Sequence, residues 1–229
     1  MDAPVFFKNK QQLSLQYSIN IFKNFLLRYV IWQALSLFSE KGYSAVYVGD
    51  IAEAVGIKTP SLYKHYKNKQ DIFNSCVEVF SERMGNIRNE LQLPGSKTAS
   101  FSYETVTEEQ LIEVANALFL FYLQDNVAAK FRKMLMIERY HNPELNKLFE
   151  DLFIGGAVAH EEKIFSDLMD AKIIKRDNPH IIALRFYTPI FYLLQKYDMR
   201  PGEVEEAKQE LTLMVQEFCK TYKREGLRE

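Results

Sequence analysis

The sequence predicts an all-α protein of 229 residues, and three observations carry that prediction. Apolar residues recur at i, i+3, i+4 and i+7, as in Ile31, Ala34, Leu35 and Phe38, which puts them on one helical face. Residues that start and stop helices punctuate the chain at helical intervals. No strand-like alternation, internal repeat or low-complexity tract interrupts them.

The helix holding Ile31 to Phe38 ends at Gly42, where a left-handed cap is wanted. A short helix includes Asp50 to Val55 and stops at Gly56. The next starts with Thr59 as N-cap and Pro60 at the first helical position, where proline's missing N–H costs nothing. Asn68 caps a fourth, and Asp71 in its first turn complements the helix dipole. Between Gln92 and Thr107, the residues Pro94, Gly95, Ser96, Ser100 and Ser102 mark the longest loop and a boundary between sub-structures. Thr107 and Gln110 make a capping box for a helix through about Leu123. Helices follow from Val127 to Tyr140 and from Pro143, behind the Asn142 cap, towards Met169. Gly155–Gly156 is expected to bend or break the latter. Asn178–Pro179 opens another helix that ends before Pro201–Gly202, and an amphipathic helix from about Glu203 to Lys223 follows.

A net charge of −1, with 47% hydrophobic and 26% charged residues, describes a globular protein. It excludes a globally basic nucleic-acid binder and leaves a local basic patch open. Two cysteines, Cys76 and Cys219, lie far apart and make no disulfide framework or metal cluster, which fits a reducing compartment. The most apolar N-terminal run is broken by Lys23 and Arg28, short of the roughly 20 apolar residues a spanning helix needs. The expectation is a soluble, cytoplasmic protein with no membrane partner. No phosphate-cradling P-loop, GxGxxG or GxSxG is present, so no enzyme and no cofactor are expected. His160 in "HEEK" lacks the second histidine of a zinc helix, and Glu138 with His141 reads as a surface or capping pair rather than a metal site.

Against this neutral background, Ile57 to Lys69 (IKTPSLYKHYKNK) concentrates Lys58, Lys64, Lys67 and Lys69 beside Tyr63 and Tyr66, with no acidic residue. A solvated helix face would mix signs; a surface that meets a polyanion would not. The preceding residues supply a frame. Ala52 is the small residue two crossing helices need, Gly56 supplies a turn with positive φ, and Ile51, Val55, Ile57 and Leu62 form an apolar wedge. This is helix-turn-helix geometry, whose second helix enters the major groove of DNA. On that helix Leu62 and Tyr66, four apart, face inward, leaving Ser61, Tyr63, Lys64 and His65 outward.

From Arg28 to Phe73 the sequence resembles the N-terminal DNA-binding domain of the TetR family of bacterial transcriptional regulators. The resemblance rests on Ile31, Ala34 and Phe38, then "EKGY" (Glu40 to Tyr43), "DIAEAVGI" (Asp50 to Ile57) and "SLYKHYKNKQDIF" (Ser61 to Phe73). It implies an N-terminal extension over residues 1–27, a three-helix DNA-binding domain over 28–73, and a helical ligand-binding and dimerisation domain over 74–229. Thr59, Pro60 and Ser61 would open the recognition helix against base edges. Tyr63 and His65 would contact backbone or bases, Lys69 a phosphate, and Lys58 and Lys64 would add positive charge to the same patch. Two departures stand out. Val48 and Gly49 occupy positions where the family often carries an arginine or similar polar residue. The segment before Arg28 is longer and more apolar than the usual basic arm, and reads either as an extra helix or as a flexible leader.

The expected partners are a palindromic double-stranded operator and a second copy of the chain. The last two helices carry Ile181, Ile182, Leu184, Ile190 and Leu194, then Val204, Leu211, Met214, Val215 and Phe218, more apolar surface than a lone hairpin needs. Two copies forming a four-helix interface would bury it. The resemblance places an effector cavity among Phe119, Tyr122, Met134, Met136, Tyr140 and Phe153, with Arg139 or Glu138 orienting a polar group. The plain reading of the same stripe is core. Two functions follow: a repressor released from its operator by a small molecule, or a DNA-binding architectural or partner-recruiting protein with no such effector. An aromatic-lined void would favour the first, a solid core the second.

Overall fold

The first apolar stripe folds into α1, residues 26–41, which buries Val30, Ile31, Ala34, Leu35 and Phe38. The structure is a computed structural model and describes residues 26–93 and 106–222. The expectations for residues 1–25 and most of the Gln92–Thr107 loop lie outside the described residues. The chain divides into two compact units, one up to Val79 and one from Phe80.

In the first unit, α2 is Val48–Val55, which contains the expected Asp50 to Val55 and starts two residues earlier. The extra turn follows from Asp50 itself, whose carboxylate accepts the Tyr47 N–H at 2.7 Å and so makes Tyr47 the N-cap. Gly56 ends the helix at φ 77°, and the Ile57 N–H returns to the Ala52 carbonyl at 2.9 Å. A side chain at Gly56 would meet the steric cost of the left-handed conformation.

Helix α3, Thr59–Leu62, is shorter than expected, and its N-cap is Lys58 rather than Thr59. The extended Lys58 backbone turns its carbonyl to the N–H groups of Ser61 (2.8 Å) and Leu62 (3.3 Å). Beyond Leu62 the bonds tighten: Lys64 N–H reaches Ser61 and His65 N–H reaches Leu62. These three-residue steps replace regular helix at Lys64 and His65, and the Tyr66 N–H returns to the Leu62 carbonyl at 3.1 Å. Then α4 runs Lys69–Glu90. Asn68 Oδ1 accepts the Asp71 N–H (2.9 Å), and Asp71 Oδ2 accepts the Lys67 N–H (3.0 Å). Ile51, Ala52, Leu62, Tyr66, Ile72, Phe73 and Cys76 are buried with the α1 stripe in this unit's core.

The second unit contains the rest of α4, then α5 (Glu108–Gln124), α6 (Ala128–Glu138), α7 (Pro143–Phe153) and α8 (Gly155–Asp170). It continues with α9 (Pro179–Tyr197), a 3₁₀ turn at Pro201–Glu203, and α10 (Val204–Tyr222). The capping residues act as expected. Thr107 and Gln110 exchange bonds at 3.1 and 3.2 Å. Asn142 accepts from Glu144 and Leu145, and Asn178 from His180 and Ile181. The break between α7 and α8 falls at Ile154, next to the glycine pair. At Gly156 an added Cβ would lie 1.9 Å from the Asp151 carbonyl oxygen, so the close approach requires glycine.

Helices α5, α8, α9 and α10 enclose a core that includes Phe119, Phe165, Leu193, Leu194, Leu211 and Phe218. Phe165, Phe186 and Phe218 meet in pairs with centroids 5.1 to 5.3 Å apart. Burying each such side chain contributes roughly 1.5–3 kcal/mol. Several residues expected on an outer α9–α10 face are therefore interior: Leu194 is 1% exposed, Leu211 0% and Phe218 9%. The reason is that α5 and α8 cover them within one subunit. The large apolar residues left exposed on these two helices are Ile181, Tyr192 and Leu213. No helix of the described residues is long and apolar enough to cross a membrane.

Candidate nucleic-acid interface

The expected inward face of the recognition segment is inward in the structure, while the expected outward face is exposed only in part. Leu62 is fully buried and Tyr66 nearly so, while Lys58, Pro60, Tyr63, Lys64 and Lys67 are exposed. Thr59, Ser61 and His65 are half-buried beside them. The Tyr66 phenol is pushed up to about 12, first by burial and then by Cys76, which marks it as a core ring. Cys76 is likewise pushed up to about 12 by burial.

Lys69, expected at a phosphate, is engaged within the first unit. Its Nζ donates to the carbonyls of Tyr43 (2.8 Å), Ser44 (3.4 Å) and Val46 (2.8 Å), and sits 4.3 Å from the centre of the Tyr43 ring. An ammonium has three N–H groups, and three carbonyls face it. The charge is directed onto the carbonyls of the 43–46 turn. Sequence reasoning also passed over Tyr47, which is 72% exposed at the N-cap of α2. The available signal was a bulky ring three residues before the "DIAEAVGI" run and two before the side-chain-free Gly49.

The proposed effector residues separate into groups. Phe119 and Phe153 are fully buried. Tyr122 packs edge-on against Phe153 at 5.2 Å, and its hydroxyl points to the Met84 sulfur at 4.0 Å. The Met136 sulfur accepts Nη1 of Arg132 at 3.1 Å. Arg139 instead lies over Phe149 (4.3 Å) and pairs with Glu150 at 3.1 Å. Tyr140 is 80% exposed, because α6 ends at Glu138 and carries it beyond the helix. It does not line an interior site.

Other polar groups, absent from the sequence-based set, gather around Tyr122. Arg132 is fully buried and its Nε donates to the Tyr122 carbonyl at 3.3 Å. The Tyr187 hydroxyl donates to the Phe153 carbonyl at 2.7 Å, and burial, then Tyr122 and Glu161, push its phenol up. Glu161 is held up at about 7 by burial, with Arg88 opposing that shift. Glu161 sits three residues after Val158 and four before Phe165, both buried, so helical spacing alone could have placed it on the apolar face of α8. Concavities occur elsewhere: a void of about 10 Å³ between Phe186 and Phe218, and an open groove of about 440 Å³ bordered by Glu162, Lys163, Ser166 and Asp167.

Comparison with known proteins assigns the DNA-reading segment. Residues 30–76 match the family model described as bacterial regulatory proteins, tetR family. These residues carry a TetR-family DNA-binding domain. The curated relatives that align with the chain are HTH-type transcriptional regulators. The chain is similar to the biofilm operon icaADBC HTH-type negative transcriptional regulator IcaR of Staphylococcus aureus, with 26% identity over 179 residues, covering 78% of this chain and 89% of that one. The HTH-type transcriptional regulator AcrR of Shigella flexneri is 30% identical over 119 residues, covering 51% of this chain and 49% of its own. Among solved structures, the SmeT–triclosan complex matches with a TM-score of 0.63 at 17% identity, covering 89% of this chain and 94% of that one. A fatty acid degradation regulator FadR from Bacillus halodurans matches at 0.58 and 18%, covering 89% and 97%. At these identities the structural matches speak for the fold.

Proposed function

We propose that the chain is a TetR-family repressor that binds a palindromic operator as a homodimer in the cytoplasm and leaves it when a small, moderately apolar molecule binds the second unit. The observation that carries the DNA-binding part is the exposed row Lys58, Pro60, Tyr63, Lys64 and Lys67 over the buried anchors Leu62 and Tyr66. Lysines neutralise phosphates, and groups at the helix start reach base edges. One such segment offers few base contacts, and two related by a dyad would read a palindrome. The repressor sign is supported by the similarity to IcaR, a negative regulator, over most of both chains.

Effector release is supported by the aromatic and ionisable group of Tyr122, Phe153, Tyr187 and Glu161, and by the structural neighbour SmeT, solved with triclosan. Linkage fixes its energetics: a hundredfold loss of DNA affinity needs about 2.7 kcal/mol of coupling. The close burial of Phe119 and Phe153 favours the second reading, in which the helical unit recruits a protein partner and no metabolite. The test is to select duplexes from random DNA with the full chain, then screen metabolites for compounds that raise Tm and release the selected duplex. Selection of a palindrome together with a releasing compound supports the first reading. A selected duplex that no stabilising compound releases supports the second.

A further inference from the structure

The turn that leads into α2 is held by a side chain 26 residues further along the chain. The Lys69 ammonium, in the first turn of α4, gathers the carbonyls of Tyr43, Ser44 and Val46 at 2.8, 3.4 and 2.8 Å. Its post is itself fixed. The Tyr43 ring lies 4.3 Å beneath the ammonium and 5.2 Å from both Phe38 and Phe73, and its hydroxyl donates to Gln70 at 3.0 Å. Val46, the last carbonyl of the set, is fully buried. The next residue is Tyr47, whose N–H is tied to Asp50 and whose ring is 72% exposed. The backbone on both sides of this phenol is therefore pinned, and the ring is left free to meet a partner.

We propose that Lys69 is a positioning residue for DNA binding, which fixes the 43–46 turn so that Tyr47 is presented to the DNA backbone, and that it makes no phosphate contact of its own. This rests on the DNA-binding reading given above. A phenol hydroxyl is a neutral donor that holds register on a phosphate without reading sequence. Lys69 would act through it, by geometry rather than by charge. That difference can be measured. A lysine on a phosphate contributes about 0.9 to the slope of log affinity against log salt, while a neutral contact contributes almost nothing. Arginine also separates the two roles. It serves well on phosphate, but its planar fork cannot converge on three carbonyls of one turn as an ammonium does.

The experiment uses the full-length chain and the duplex that wild type enriches from random-sequence DNA. Lys69→Met, Lys69→Arg, Tyr47→Phe and the Lys69→Met/Tyr47→Phe double variant are titrated across a salt series, with Tm recorded for each. Lys69→Met is expected to weaken binding roughly tenfold with the salt slope unchanged. Lys69→Arg weakens it comparably despite keeping the charge. Tyr47→Phe weakens binding with no change in Tm, and adds nothing in the Lys69→Met background. A slope reduced by about 0.9 in Lys69→Met, full affinity in Lys69→Arg, or losses that multiply in the double variant would each overturn the proposal. If Lys69→Met does not fold, Lys69→Arg and Tyr47→Phe carry the test alone. Failure of wild type to enrich any duplex sinks the DNA-binding reading itself, an outcome distinct from all of these.

Discussion

Arg132 is completely buried and its guanidinium forms an ion pair with Asp198, which joins the middle of α6 to the residue after α9. Lys133 approaches the same carboxylate at 3.4 Å. A charge with no access to water depends on such a partner. Asp198→Ala is expected to destabilise the chain by about 3–5 kcal/mol, because it strands a buried cation. Arg132→Met, which removes the charge and keeps most of the volume, should cost much less. Urea titration of both variants checks the order. Equal losses would mean that the pair matters through packing alone.

Glu161 gives the stability a pH dependence whose sign can be worked out. Its folded pKa of about 7 lies above the ordinary value of 4.5, so the folded chain keeps a proton that the unfolded chain has released. That contribution is complete below 4.5 and is lost as pH rises to about 7. Neighbouring His160 acts in the opposite direction. Desolvation, then Arg88 and Lys163, hold it below 6.5, so its contribution grows as pH rises towards that value. Tm measured from pH 5 to 8 should fall on the order of 5 °C more in His160→Asn than in the Glu161→Gln/His160→Asn double variant. Identical pH profiles in those two proteins would remove Glu161 from the account.

Binding and reading should separate on the recognition segment. Tyr63→Ala and Lys64→Ala are expected to reduce affinity for the selected duplex while leaving Tm within about 1 °C, since both side chains are exposed. Only Lys64→Ala should lower the salt slope, by about 0.9. Ser61→Ala should instead change which bases are enriched in a repeated selection. Unaltered base preference there would place sequence reading elsewhere.

Assembly offers a comparison between interior and surface. Leu213→Glu and Tyr192→Glu alter side chains 62% and 55% exposed, and should halve the light-scattering mass with the fold intact if α9 and α10 form the proposed interface. Leu194→Glu puts a charge into the core and should unfold the subunit. A monomeric mass for wild type would end the dimer proposal.

Much of the fold could be read in the sequence because capping is local chemistry. Thr107 with Gln110, Asn142 and Asn178 each start a helix through bonds within three residues. The sequence placed Asp50 to Val55 inside α2 without marking its start, because the cap is supplied from inside the helix by Asp50 rather than by a capping residue before it. What could not be read depends on contacts distant in sequence. Nothing near Lys69 indicates that its charge points back to residues 43–46, so a basic run suggested phosphate. Likewise the α9–α10 stripe shows that Leu194 and Phe218 are apolar, while only the packing of α5 and α8 shows what covers them.

Cys76 leaves a practical consequence. Its sulfur has no exposed surface, and burial raises the thiol to about 12, so at pH 8 it is shielded from alkylating and disulfide reagents on both counts. A reagent can reach it only while the first unit is transiently open. Cys219, half-buried in α10, needs no such event. With a Cys219→Ser background, the rate of thiol modification becomes a clock for spontaneous opening of the DNA-reading unit, timed in the intact chain and without denaturant.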